Sequence, residues 1–192
     1  MFRFLFFTSA LFLSLAPHSA RAFVCEDLWY TRNAILDRAG MCFDTVLGQA
    51  IFDNTGCTGP SVQLAPEFAQ FVESLAQQEQ REGCRIDTTQ PVLNLPDLAI
   101  RQRLVELPVA GDSPGFNCIG WRGGVLPLYS SRSANSAQVG RIEEGDFVGM
   151  WHGPGPTWVY VLTYTRAGGP LKSGGWMQPG VDANVVCGEQ AG

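Results

Sequence analysis

The chain has 192 residues, with 18 acidic side chains against 13 basic ones and a net charge of −5. It carries a single lysine, Lys172. An acidic chain this poor in lysine lacks the electrostatic footprint that grips nucleic acid or an anionic lipid surface.

Residues 1–22 read as a secretory signal peptide. A short basic start, an apolar run from Phe4 to Ala16 and an Ala20-Arg21-Ala22 end are its three parts. The apolar run is shorter than the roughly 20 residues a membrane span needs. Cleavage is expected before Phe23, leaving 170 residues and, with Arg3 and Arg21 gone, a net charge of −7. No later stretch is long and apolar enough to cross a membrane, so the product is expected in the periplasm or outside the cell.

Residues 23–106 read as helical. The stretch from Glu26 to Gly40 has Leu28, Ile35, Leu36 and Ala39 at helical spacing. Acids open it, Arg38 closes it, and Gly40 suits a left-handed cap. A second helix is expected over Asp44–Phe52 with Asp44 as its N-cap. A third begins at Pro66 and carries Phe68, Phe71, Val72 and Leu75 at i, i+3, i+4 and i+7 until Gly83. A final helix is expected over Pro96–Glu106, with Leu98 and Leu104 inward, after a loop at Asp87–Asn94.

The run Leu28–Phe43 resembles the signature of YARHG domains, extracytoplasmic bacterial modules named for Tyr-Ala-Arg-His-Gly. Arg32-Asn33, Ile35, Arg38, Gly40 and Phe43 keep the pattern, and Ala50-Ile51-Phe52 resembles its later aromatic anchor. Leu36, Asp37 and Ala39 stand where the naming Tyr, Ala and His would be. Arg32 and Arg38 are expected to satisfy local carbonyls or a carboxylate such as Asp27, Asp37 or Asp44. A shared anion pocket is the sharper alternative.

The turn-rich stretch 107–117 is the expected linker. Beyond it the apolar spacing changes to two over residues 118–192. Leu126 and Leu128, Val139 to Ile142, Val148 and Met150, Trp158 to Leu162, and Gly174 to Met177 give five short strands. These pieces resemble bacterial SH3-like domains: Leu126–Ser133 as the opening pair and Ser-rich loop, Val139–Val148, Trp158–Val161, and Gly175-Trp176. The fold class is therefore expected to be α+β, a small disulfide-linked helical module followed by a five-stranded SH3-like β-barrel. Together the two modules resemble a family of secreted Gram-negative proteins of unassigned function.

Six cysteines, Cys25, Cys42, Cys57, Cys84, Cys118 and Cys187, lie behind the apolar segment. An even count in an exported chain points to disulfides. None is paired at the close spacing of a metal site. Grouping by half of the chain suggests Cys25–Cys42, Cys57–Cys84 and Cys118–Cys187.

Catalytic chemistry finds little footing. His152 is the one histidine after Ala22, no nucleophile elbow surrounds a serine, and Glu143 and Glu144 are neighbours that cannot oppose each other across a cleft. No catalytic residue, cofactor or metal is expected. A non-catalytic envelope protein binding cell-wall peptide or a protein partner is the leading reading, with Tyr129, Arg132 and Trp151 as candidate ligand contacts. Alternation with Val148 and Met150 turns Trp151 outward, where it either serves as a ligand platform or packs under the helical module or the Pro-rich turn, whereas Trp158 and Trp176 are assigned to the core. The alternative is a small envelope hydrolase using acidic residues, which would need a cleft holding two convergent carboxylates.

Overall fold

The computed structural model describes residues 19–109, 116–152 and 158–191. The first 18 residues, which hold most of the expected signal peptide, lie outside it. Helix α1 (Ser19–Arg38) begins before the expected cleavage point and continues through it. Its middle is buried on all sides, from Asp27 to Thr31, rather than along one stripe. Helix α2 (Val46–Ile51) is capped by Thr45, whose hydroxyl accepts from Gly48 N at 3.1 Å, and not by Asp44. Helix α3 (Pro66–Glu82) starts on its proline and stops at Gly83. Gly40 and Gly83, at φ 93° and 66°, take the left-handed conformation that ends a helix cheaply only in glycine.

Phe52 organises the core of the helical half. It stacks on Phe43 at 4.6 Å and on Tyr30 at 5.8 Å and meets Trp29 at 6.0 Å. Ala34, Leu47, Leu93 and Leu95 close this cluster. Each large apolar side chain so buried stabilises the fold by about 1.5–3 kcal/mol.

Two of the three expected disulfides are corrected. The bonds are Cys25–Cys84, Cys42–Cys57 and Cys118–Cys187. Cys25 lies within α1 and Cys42 beyond its end. A helix rises 1.5 Å per residue, so the two are held roughly 20 Å apart, far beyond the reach of a disulfide. Cys84, just past α3, meets Cys25 instead. Cys42 closes the loop to Cys57, where Cys42 N donates to Gly59 O at 2.7 Å.

The expected final helix is much shorter. Helix α4 spans Leu98–Arg101 and dissolves into tight turns, with Arg103 N and Leu104 N reaching back three residues. Arg38 of α1 then takes the carbonyls of Leu104 and Val105, both at 2.7 Å. The chain is thereby turned toward the sheet.

The five-stranded barrel is also corrected. A single antiparallel sheet holds seven strands: β1 (Phe116–Trp121), β2 (Leu126–Tyr129), β3 (Gln138–Ile142), β4 (Phe147–His152), β5 (Val159–Tyr164), β6 (Leu171–Met177) and β7 (Cys187–Ala191). Their order is β3-β2-β6-β5-β4-β1-β7. Strands β2 to β6 fall where the alternation places them. Strand β1 overlaps the expected linker and pairs with β4 and β7. A short helix, α5 (Ala183–Val186), leads into β7.

Every strand sends a side chain into one core: Cys118, Trp121, Leu128, Ile142, Val148, Val161, Met177 and Cys187. Such a cluster requires the sheet to curl on itself. The opposite face of β5 and β6 is buried too, because Tyr160, Leu162 and Trp176 pack with Ile100 and Leu104 of the α4 segment. Strand β5 therefore hides both of its faces, and contacts cross the stretch 107–117.

Candidate functional site

An aromatic ledge runs along the α4-facing side of the sheet. Tyr129 stands opposite Trp176 across β2 and β6, and Trp176 stands opposite Tyr160 across β6 and β5. Residues opposite each other in an antiparallel pair share a face. Trp158 lies two residues before Tyr160 and meets Tyr129 edge-on, with centroids 5.8 Å apart at 86°. Tyr160 and Trp176 meet at 5.8 Å and 65°. Edge-to-face geometry is favourable for aromatic rings. The ledge surfaces at one end, where Tyr129 and Trp158 are only partly buried, and sinks at the other, where Trp176 and Tyr160 are buried. Trp158, expected in the core, packs against the buried cluster but is itself only partly buried, while Trp176 is buried as expected.

Arg132 overhangs the exposed end. The loop from Ser130 to Ala137 is laced by its own serines. Ser130 N donates to Ala137 O at 2.8 Å, Ser131 N to Ser136 Oγ at 3.2 Å, and Ser136 Oγ to Ser133 O at 2.8 Å. The Arg132 guanidinium lies over the Trp176 ring, 5.2 Å from its centroid, a favourable cation–π arrangement. Glu106 clamps the loop. Its carboxylate accepts from Arg132 N at 2.5 Å, its backbone N donates to Ser130 O at 3.1 Å, and its carbonyl accepts from Trp176 Nε1 at 2.9 Å. The guanidinium itself reaches Glu106 only at 3.4 Å, and the Arg132 side chain is 55% exposed. Partial burial works to raise the Glu106 carboxyl, but the hydrogen bonds and charge of Arg132 outweigh it and hold the pKa below the usual range.

The deep end of the ledge is a buried ion cluster. Tyr160 Oη donates to Asp97 Oδ2 at 2.9 Å. Arg101 donates from Nε to Asp97 at 2.9 Å, from Nη2 to Asp27 Oδ2 at 3.0 Å, and from Nη1 to Asp27 Oδ1. Thr31, one turn along α1, has its hydroxyl 3.3 Å from both Asp27 Oδ1 and the Pro108 carbonyl. Burial opposes the charge on Arg101, yet Asp27 and Asp97 more than offset it and raise its pKa. Burial also pushes the Tyr160 phenol up, reinforced by Asp97. This cluster joins α1, α4 and β5.

Of the expected contacts, Tyr129 and Arg132 share this surface. Trp151 and His152 end β4, and their side chains lie outside the described residues. Arg32 pairs with Glu79 of α3 through bonds of 2.8 and 3.1 Å, rather than with the nearer acids, while Arg38 binds carbonyls. Trp158 was assigned to the core rather than to this surface, and Glu106 and Arg101 were not singled out by sequence. The alternation of Trp158 with Tyr160 was a usable signal for the first; nothing local marked the other two. Two pairs of carboxylates share a cation: Arg101 lies between Asp27 and Asp97, and Lys172 between Glu143 and Asp146 at 2.7 and 2.6 Å.

Among the described residues no helix is long and apolar enough to cross a membrane. The three disulfides fit an oxidising, extracytoplasmic location. Comparison with known families adds two matches. A YARHG domain model covers residues 7–80, including the signature read above and part of the apolar N-terminal stretch. A second model covers residues 83–192, taking in α4 and the whole sheet. No curated protein and no solved structure matches the chain. With more than half its length matched by that second model, the chain belongs to the family described as Domain of unknown function (DUF4453).

Proposed function

We propose that this is a non-catalytic binding protein of the cell envelope, exported by a signal peptide at residues 1–22 to the periplasm or beyond. In this reading strands β2 to β6 form an SH3-like unit that recognises cell-wall peptide or a protein partner. The observation that carries it is the surfaced end of the ledge: two partly exposed aromatic rings, Tyr129 and Trp158, beside an exposed guanidinium held over a third ring. Aromatic and arginine side chains at a rigid surface are the residue types that dominate binding energy. The Asp27–Asp97 and Glu143–Asp146 pairs are each occupied by a cation, which supports binding over hydrolysis at those pairs.

The test is capture by purified cell-wall sacculi, with a pull-down from envelope extract in parallel. Tyr129→Ala should fold normally and lose about thirtyfold in affinity, the effect of removing one aromatic anchor of about 2 kcal/mol. Undiminished capture by that variant would place the binding face elsewhere. Release of soluble fragments from the sacculi would favour a hydrolase.

A further inference from the structure

We propose that the Cys25–Cys84 bond is a thiol-exchange site, opened by an extracytoplasmic dithiol protein that attacks Cys84 and thereby undocks helix α3. Cys84 lines an open groove of about 390 Å³ together with Arg32, Glu79 and Arg85. Next to it, Gly83 has open space, with no atom within 4 Å of where a Cβ would stand. Cys84 N donates to Glu79 O at 2.9 Å in the cap of α3, which fixes the half-buried cysteine at the groove. Arg32 and Glu79 neutralise each other, so Arg85 leaves the groove lining with a net positive charge. The attacking species in disulfide exchange is a thiolate, and positive charge draws it in.

The three disulfides differ in access and in what they hold. Cys118 and Cys187 are 0% and 8% exposed inside the sheet core, where a thiolate does not reach. The ends of the Cys42–Cys57 loop are also tied by the backbone, since Cys42 N donates to Gly59 O and Thr58 N to Gly40 O, both at 2.7 Å. Opening that bond leaves its ends together. Helix α3 is tied more weakly. Among the described residues it contributes no side chain to the cluster around Phe52. Leu75 is its one fully buried residue, and Phe68 is 51% exposed. Apart from the disulfide and Leu75, the partly exposed Arg32–Glu79 pair joins it to α1. Opening Cys25–Cys84 therefore frees Phe68, Phe71, Val72 and Leu75 as one apolar stripe.

The exchange balances in two steps. A thiolate of the dithiol attacks Cys84 Sγ and forms a mixed disulfide. The bond to Cys25 breaks with its electron pair on Cys25, which takes a proton from water. The second thiol, deprotonated, then attacks its own partner sulfur in the mixed disulfide, and Cys84 leaves and is protonated in turn. Two electrons and two protons pass to the protein, and the dithiol becomes a disulfide. The rate of this exchange follows access and local charge, not the length of the loop that the bond closes.

The disulfide-bonded protein is treated with dithiothreitol, a small dithiol, for graded times, trapped with iodoacetamide and mapped by mass spectrometry. Cys25 and Cys84 should be alkylated about tenfold faster than the other four cysteines. Arg85→Glu should slow that pair severalfold, and Arg85→Gln by less, with the other two pairs unchanged. Thermal melting checks that each variant folds. Hydrogen exchange on the protein with this one bond opened should show fast amides over residues 66–82 and protected amides in β5. Three bonds opening together, or Cys42–Cys57 opening first, overturns the proposal. An unchanged rate in both Arg85 variants removes the groove and overturns Cys84 as the attacked sulfur. If the bond opens first but residues 66–82 stay protected, α3 is held without it and the undocking is overturned.

Discussion

The two halves of this molecule are held by different means. The sheet half buries side chains from all seven strands in one cluster and covers a second face with the α4 segment, and it uses a single disulfide at its β1–β7 edge. The helical half has a smaller core gathered around Phe52, and its third helix buries only Leu75 fully. It compensates with two disulfides and the Arg32–Glu79 pair. Small units that cannot bury enough surface rely on such staples. Between the halves lies a polar cluster whose parts come from both: Asp27 from α1, Asp97 and Arg101 from α4, Tyr160 from β5.

That cluster offers the largest expected effect. Arg101→Ala would leave Asp27 and Asp97 buried without their cation, at a cost of about 3–5 kcal/mol. Urea unfolding should show one transition in the native protein and, in the variant, an early loss of the contact between the halves. Trp29 reports the helical core and Trp121 the sheet core when each is the one tryptophan retained. A cost below about 1 kcal/mol would mean that apolar packing by Ile100 and Leu104 joins the halves unaided.

The helical staples come next. In the chain-entropy account a bond closing 59 residues contributes about 4 kcal/mol and one closing 15 about 3 kcal/mol. Replacing Cys25 and Cys84 together by serine should therefore destabilise more than replacing Cys42 and Cys57, measured by thermal unfolding. Replacing Cys118 and Cys187 tests the contrast. If the sheet core is as self-sufficient as its burial indicates, that variant should still unfold cooperatively.

Legibility in the sequence followed this division. Strands β2 to β6 were legible from apolar residues at largely alternate positions, although in β5 the residues read, Tyr160 and Leu162, face α4 while Val161 enters the sheet core. Strand β1 does not alternate: its buried residues, Cys118 and Trp121, are three apart, since Gly120 sits at φ 67° and breaks the alternation. Strand β7 buries Cys187 alone and exposes the next four residues, so it leaves no apolar period to read. The disulfide error was avoidable. A helix running from Glu26 to Gly40 already forbids Cys25 from meeting Cys42. Arg101 was beyond reach, because its partner Asp27 is 74 residues away and only the packed fold brings the two together.

Alkaline pH should probe the buried phenols in both halves. Burial pushes Tyr30 up to about 12, and burial raises Tyr160 and Tyr164 as well. A phenol is neutral when protonated, so the folded chain holds these protons above pH 10 while the unfolded chain releases them. Stability is thus undiminished below pH 10 and falls as pH rises toward 12, by roughly 2–3 kcal/mol for Tyr30. Tyr30→Phe should flatten that slope in urea unfolding between pH 9 and pH 11.5. An unchanged slope would show that the loss arises in the sheet half.

The smallest expected effect concerns the ion pair between α1 and α3. Arg32 and Glu79 meet through two bonds, but their side chains are 23% and 18% exposed, so water still screens them. The same two helices are tied by Cys25–Cys84, seven residues back along α1. With the helices already brought together covalently, the pair has little left to organise. Arg32→Ala should cost about 1 kcal/mol, Glu79→Gln about the same, and the double variant no more than either alone. A cycle of single and double variants in urea measures this coupling directly. Repeating it in the background lacking Cys25 and Cys84 sharpens the contrast between the halves. If the coupling grows there, the ion pair and the disulfide share one task, docking a helix whose own apolar face is too little buried to hold it. If the coupling stays at about 1 kcal/mol in both backgrounds, α3 is docked by Leu75 and its neighbours, and the helical half depends less on its staples than its exposed third helix indicates.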